Sequence, residues 1–197
     1  MKEDILEQIV EDYLQSQGYF TRHNVKFRPD ATDPDFITLE DSSYSDIDIV
    51  GLHPSPDKPV VVVSCKSWQA GHDPIGYWKD VEAGGKHKGR VAWKAYRELT
   101  KPKWGRAFCR KIQEISGRSD FKYITAVTRL IGGDTAKQAW ENHIQARQQL
   151  GNNPIEIITI EQMVATMLPA MTSTTEGSML GRTLQLLKAA DCLRSNL

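Results

Sequence analysis

Polar and apolar residues alternate over Ser45-Asp46-Ile47-Asp48-Ile49-Val50-Gly51, and a Pro-rich turn separates them from the apolar run Pro59-Val60-Val61-Val62-Val63-Ser64-Cys65-Lys66. Alternation and a β-branched run both predict strands. Side chains two apart in a strand share a face. That spacing sets Asp46 and Asp48 on one side, with Ile47 and Ile49 on the other. In the second strand Ser64 and Lys66 share a face, and Cys65 goes with Val61 and Val63 to the opposite one. A symmetric hairpin centred near Pro56 places Asp48 across from Ser64 and Asp46 across from Lys66.

Upstream, Ile5, Leu6, Ile9, Val10, Tyr13 and Leu14 recur at helical spacing over residues 3–17, and Gly18 is the stop signal. Tyr19 to Arg28 predicts a first strand, and residues 29–44, with two prolines and several aspartates, a loop. Residues 70–85, containing Pro74, Gly76 and Gly84-Gly85, read as irregular. The block 86–115 predicts a helical core around Val91 to Leu99, interrupted at Pro102 and resumed through Ile115. Phe121 to Leu130 predicts a strand, and Gly132-Gly133-Asp134 a turn with an N-cap leading into a helix to about Leu150. Ile155 to Ile160 follows as a short buried strand, with a helix starting at Glu161. Residues 171–178 are rich in Ser, Thr and Gly and predict a mobile link to a final helix over 179–194. The order α-β-β-β-α-β-α-β-α predicts an α/β fold, a mixed β-sheet flanked by helices. Residues 1–170 then form the main domain with a basic insert at 70–118, and the link and helix of 171–197 pack on it.

A chain of 197 residues that is 40% hydrophobic and 25% charged supports a globular core. No apolar run of membrane-spanning length occurs, and Met1-Lys2-Glu3-Asp4 is not a signal peptide, so a cytoplasmic protein without membrane contact is expected. Cys65, Cys109 and Cys192 are odd in number and widely spaced, which predicts free thiols rather than a disulfide framework or a zinc cluster.

The zero net charge conceals an asymmetry. Residues 1–85 carry 7 Lys/Arg against 16 Asp/Glu, a net of −9, whereas residues 86–111 carry 10 Lys/Arg against Glu98 alone, a net of +9. A block of that kind predicts a polyanion partner. Lys86, Lys88 and Arg90 lie near glycines, and Lys94, Arg97, Lys101, Lys103 and Arg106 continue the block with Trp93, Tyr96 and Trp104 interleaved. Such side chains bind phosphates strongly and with little regard to base sequence. Gln69, close behind Lys66, is a further candidate nucleotide contact.

An acid and a lysine meeting on neighbouring strands resemble the PD-(D/E)XK nuclease superfamily, whose restriction-endonuclease-like fold includes Holliday-junction resolvases and Mrr-type enzymes. The pattern of that superfamily is an Asp on one strand, an acid-x-Lys tripeptide on the next, and often a Glu on the preceding helix. Asp48 matches the first position, Lys66 the lysine, and Glu7 the helical acid, eleven residues before Gly18. The resemblance covers residues 3–69 by motif and 121–165 by the order of elements. It implies a Mg²⁺- or Mn²⁺-dependent endonuclease that hydrolyses DNA phosphodiesters, with a second copy of the chain where both strands are cut.

Within that resemblance Asp48 is the principal metal ligand and the Cys65 backbone carbonyl a further one. Lys66 holds or deprotonates the attacking water and offsets charge on the phosphate. The chain departs from the pattern at Ser64, where the tripeptide acid belongs. A serine hydroxyl is neutral, and Mg²⁺ is a hard cation that favours charged oxygen ligands. Glu7 or Asp46 must then supply the lost charge. The competing expectation is a catalytically inactive domain that keeps the fold and binds nucleic acid or another protein.

Overall fold

The structure, a computed structural model, describes residues 4–172 and 177–193. Helix α1 (Ile5–Ser16) is opened by Asp4, whose carboxylate accepts the Leu6 N–H at 2.9 Å. Strand β1 (Phe20–Phe27), a short helix α2 (Thr38–Asp41), and the strands β2 (Ser45–Leu52) and β3 (Val60–Lys66) follow. Next come α3 (Pro74–Glu82), a small hairpin of β4 (Lys86–His87) and β5 (Arg90–Val91), a 3₁₀ turn (Ala92–Ala95), α4 (Arg97–Thr100) and α5 (Pro102–Ser116). Strand β6 (Phe121–Val127), helices α6 (Gly133–Glu141) and α7 (Ile144–Gln149), strand β7 (Ile155–Thr159) and helix α8 (Ile160–Met167) lead to a second 3₁₀ turn (Leu168–Ala170) and helix α9 (Met179–Ala189).

Five strands form one mixed sheet in the order β1-β2-β3-β6-β7. The first three are antiparallel neighbours, and β3, β6 and β7 run parallel. Parallel neighbours require crossovers, which α3 to α5 and α6 to α7 provide. This is the α/β arrangement the order of elements predicts.

Helices cover both faces, which explains four consecutive valines in β3. Val60, Val62, Tyr123 and Val127 share one layer with Trp78, Trp104, Phe108, Trp140 and Leu150 from α3, α5, α6 and the end of α7. Val61, Val63, Cys65 and Ala126 share the other with Leu6, Val10, Met163 and Leu184 from α1, α8 and α9. Helix α9 is also tied to α1 by the Ser178 hydroxyl, which donates to Asp12 at 2.6 Å. No described helix is long and apolar enough to cross a membrane.

Alternation along β2 breaks where it matters most. Ile47 belongs to the first layer and Ile49 to the second, so they do not share the face that strict alternation assigns them. Opposite the break, between the pairs His23↔Ile49 and Val25↔Ile47, Asn24 adopts a φ of 53°. Asparagine tolerates this left-handed conformation better than most residues, and it turns the pleat over at the level of Asp48.

Three local readings change. Residues 74–82 are helical because Pro74 stands at the first helical position and the Asp73 carboxylate caps the Gly76 N–H at 3.0 Å. Proline is an ordinary helix opener there, not a breaker. Residues 86–91 form a hairpin about Lys88 and Gly89, both at positive φ (48° and 81°), which suits a two-residue turn. The helix predicted to Leu150 divides at His143, which caps α7 by accepting the Ala146 N–H, and Gly132 rather than Asp134 precedes α6. Within the predicted link, residues 173–176 lie outside the described residues. Helix α9 ends at Ala189, and position 194 at its predicted end lies outside them too.

Candidate active site

Strands β2 and β3 keep the expected register, Gly51↔Val61, Val50↔Val62 and Ile49↔Val63. The ladder stops there and the strands part, so the Asp48 side chain enters the gap. Its Oδ2 accepts the Cys65 N–H at 2.6 Å. Burial raises the Asp48 pKa, while Lys66 and the Cys65 N–H favour its charged form. Lys66 Nζ donates to Ser64 Oγ at 2.9 Å and to the Cys65 carbonyl at 3.3 Å, and lies 4.8 Å from the centre of the Tyr96 ring.

Glu7 approaches from the first turn of α1. Burial raises its pKa, and the neighbouring charges of Asp48 and Asp4 push it the same way. His23 faces this side of α1, 4.0 Å from Glu7 and 3.1 Å from Glu11. Asp4, which the sequence reading did not single out, accepts from Ser67 Oγ at 2.9 Å and pins the start of α1 to the end of β3. Glu7, Asp48, Ser64, Cys65 and Lys66 therefore come together from three elements. Asp46 does not join them, because its exposed carboxylate pairs with Lys26 of β1 at 2.6 Å. The turned pleat separates it from the Lys66 partner that simple alternation gives it.

Among the described residues no three His, Cys, Asp or Glu side chains form a metal-holding group. The donors present are two carboxylates, Glu7 and Asp48, with the Cys65 carbonyl and the Ser64 hydroxyl. All are hard oxygens, and Mg²⁺ is commonly held by one or two carboxylates, its remaining positions taken by water and phosphate. The donor set fits that ion in kind, with Asp46 outside it.

A further acid stands behind the site. Glu98 of α4 is only 7% exposed and accepts the Tyr123 hydroxyl at 2.5 Å. Burial raises the Glu98 pKa, opposed by that hydrogen bond and by the charge of Lys66. The Ser64 hydroxyl is a second hydrogen-bond partner of the Tyr123 phenol. The sequence held one trace of this residue, its place as the sole acid among residues 86–111.

The basic block divides into two parts. Lys86, Lys88 and Arg90 are exposed on the β4–β5 hairpin, with the Lys88 ammonium donating to the Gly71 carbonyl and lying 4.3 Å from the Trp68 ring centre. His87 seats this hairpin on α3 through Asp80 at 2.7 Å. Lys94, Arg97 and Lys101 gather on Trp93 at 5.5, 5.8 and 5.2 Å, and Gln69 is exposed in the turn after β3.

Lys103 and Arg106 differ from the expectation of a nucleic-acid contact. Lys103 is 7% exposed and pairs with the fully buried Asp41 at 2.6 Å. Arg106 pairs with Asp33 at 2.8 Å and Asp35 at 3.4 Å. These partners come from the acidic segment between β1 and β2. Part of the positive block therefore neutralises the negative one inside the molecule.

Comparison of the chain with protein-family models, curated proteins and solved structures gave no match.

Proposed function

We propose that the chain is a metal-dependent DNA nuclease of the PD-(D/E)XK type, with its site where β2 and β3 part. The observation that carries this reading is the Asp48 carboxylate bonded to the Cys65 N–H, with Lys66 and Glu7 beside it. A Mg²⁺ or Mn²⁺ ion held by Glu7, Asp48 and the Cys65 carbonyl would supply Lewis-acid activation of the phosphodiester. Lys66 orients the attacking water and offsets charge developing on the phosphate. Asp48 keeps its orientation through the Cys65 N–H, and the β4–β5 hairpin with the Trp93 group receives the flanking phosphates. A second copy of the chain is needed where both strands are cut.

The test is nicking of supercoiled DNA with Mg²⁺ or Mn²⁺ by the wild type, Asp48→Ala and Lys66→Ala. Each substitution is expected to slow nicking by about a hundredfold or more. Equal nicking by all three proteins would remove these residues from the chemistry.

One observation favours a second reading, an inactive domain that binds DNA. Lys66 Nζ already engages Ser64 Oγ and the Cys65 carbonyl, two oxygens of the donor set. On that reading the three proteins bind DNA equally and none cleaves it.

A further inference from the structure

We propose that Glu98 is a positioning residue, which supplies from α4, through Tyr123 and Ser64, the negative charge that position 64 lacks and so holds the Lys66 ammonium at the mouth of the sheet. The inference rests on the nuclease reading only for its consequence on rate, because the arrangement itself is geometric. In the parallel β3–β6 ladder Tyr123 pairs with Val62 and Thr125 with Ser64. Ser64 and Tyr123 are therefore diagonal neighbours on one face, within reach of a long side chain. Tyr123 is fully buried and its hydroxyl lies 2.5 Å from Glu98, while Ser64 Oγ lies 2.9 Å from Lys66 Nζ.

Donor counting sets the direction of this chain. An ammonium only donates, a carboxylate only accepts, and each hydroxyl has a single hydrogen to give. Lys66 gives to Ser64, so Ser64 passes its hydrogen to Tyr123, and Tyr123 passes its own to Glu98. Two neutral hydroxyls thus join a cation at the site to an anion in the core, and hydrogen bonds with an ionised end are the strong ones.

The chain also accounts for serine at position 64. A carboxylate there would compete with Glu98 for the one phenolic hydrogen and set two negative charges about it. Serine at 64 and glutamate at 98 are complementary, and exchanging both should be better tolerated than exchanging one.

The experiment compares wild type, Glu98→Gln, Ser64→Asp and the double variant. One readout is the ¹H–¹⁵N signal of the Lys66 ammonium, which needs no cleavage. The other is the maximal nicking rate at saturating DNA. Glu98→Gln keeps an acceptor for Tyr123 and removes only the charge. It should move the Lys66 signal and lower the maximal rate roughly ten- to a hundredfold, with an unchanged KM for DNA. Ser64→Asp added to Glu98→Gln should restore both, whereas Ser64→Asp alone should not match the wild type.

A Lys66 signal unmoved by Glu98→Gln overturns the proposal, as does a double variant no better than Glu98→Gln. If Glu98→Gln does not fold, Ser64→Ala cuts the chain at its other end, and an unmoved Lys66 signal there overturns the proposal equally. A wild type that does not nick DNA refutes the nuclease reading alone, since the ammonium signal still decides the role of Glu98.

Discussion

His72 is fully buried against Trp140, whose ring centre is 4.7 Å away, and against Tyr96 at 5.8 Å. Among the described residues neither ring nitrogen has a hydrogen-bond partner. Burial, helped by the charges of His87, Lys88 and Lys66, lowers its pKa to about 3. Below its ordinary value of 6.5 the unfolded chain takes up a proton that the folded chain refuses until about pH 3. Stability from this residue is therefore complete above pH 6.5 and lost as the pH falls through that window, by up to ~1.4 kcal/mol per unit. The raised carboxyls of Glu7, Asp48 and Glu98 act with the opposite sign, so the difference between two variants isolates the histidine. His72→Leu should equal or exceed the wild type in stability at pH 8, because it removes an unpartnered polar group. At pH 5 it should gain about 2 kcal/mol more on the wild type. Urea unfolding at the two pH values measures this, and a pH-independent difference would show that His72 finds a proton-sharing partner in the fold.

At the scale of elements, α2 is held to α5 by a buried polar group of three. Asp41 accepts the Trp104 indole N–H at 2.9 Å and pairs with Lys103 at 2.6 Å, with no exposure of its own. Burial opposes its charge, but Lys103, the Ile37 N–H and Trp104 together hold its pKa below the ordinary value. Asp41→Ala leaves the Lys103 ammonium buried without its carboxylate, which should cost about 3–5 kcal/mol. Replacing Asp35, which only borders the exposed Arg106, should cost at most ~1 kcal/mol in the same urea titration. Nothing local in the sequence announces these pairs, for Asp33 and Arg106 are 73 residues apart. What was legible came from short-range pattern, namely the valine run of β3, the register of β2 upon it, and the meeting of Asp48 with Lys66. The turned pleat at Asp48 was not, since it depends on the conformation of Asn24 in the adjoining strand. Glu98 escaped notice for a similar reason, because its link to Ser64 passes through a tyrosine on a third strand.

For the molecule as a whole, the internal pairing changes which positive charges remain for DNA. Lys103 and Arg106, with Arg110 3.9 Å from Asp30, are matched by the acidic segment that precedes β2. Lys86 and Arg90 carry no such carboxylate partner among the described residues, and Lys88 rests on a carbonyl and an indole. Only a cation that releases counterions from the phosphates adds to the salt dependence of binding, at about 0.9 per contact in a plot of log affinity against log salt. Neutralising Lys86, Lys88 and Arg90 together should therefore lower that slope by about 2–3. Arg106→Gln should leave it unchanged, although Arg106 lies in the same basic block. Anisotropy titrations of a labelled duplex across a range of NaCl separate the two results. A slope altered by Arg106→Gln and untouched by the triple substitution would place the DNA over α5 and the acidic segment, away from the mouth where Asp48 and Lys66 meet.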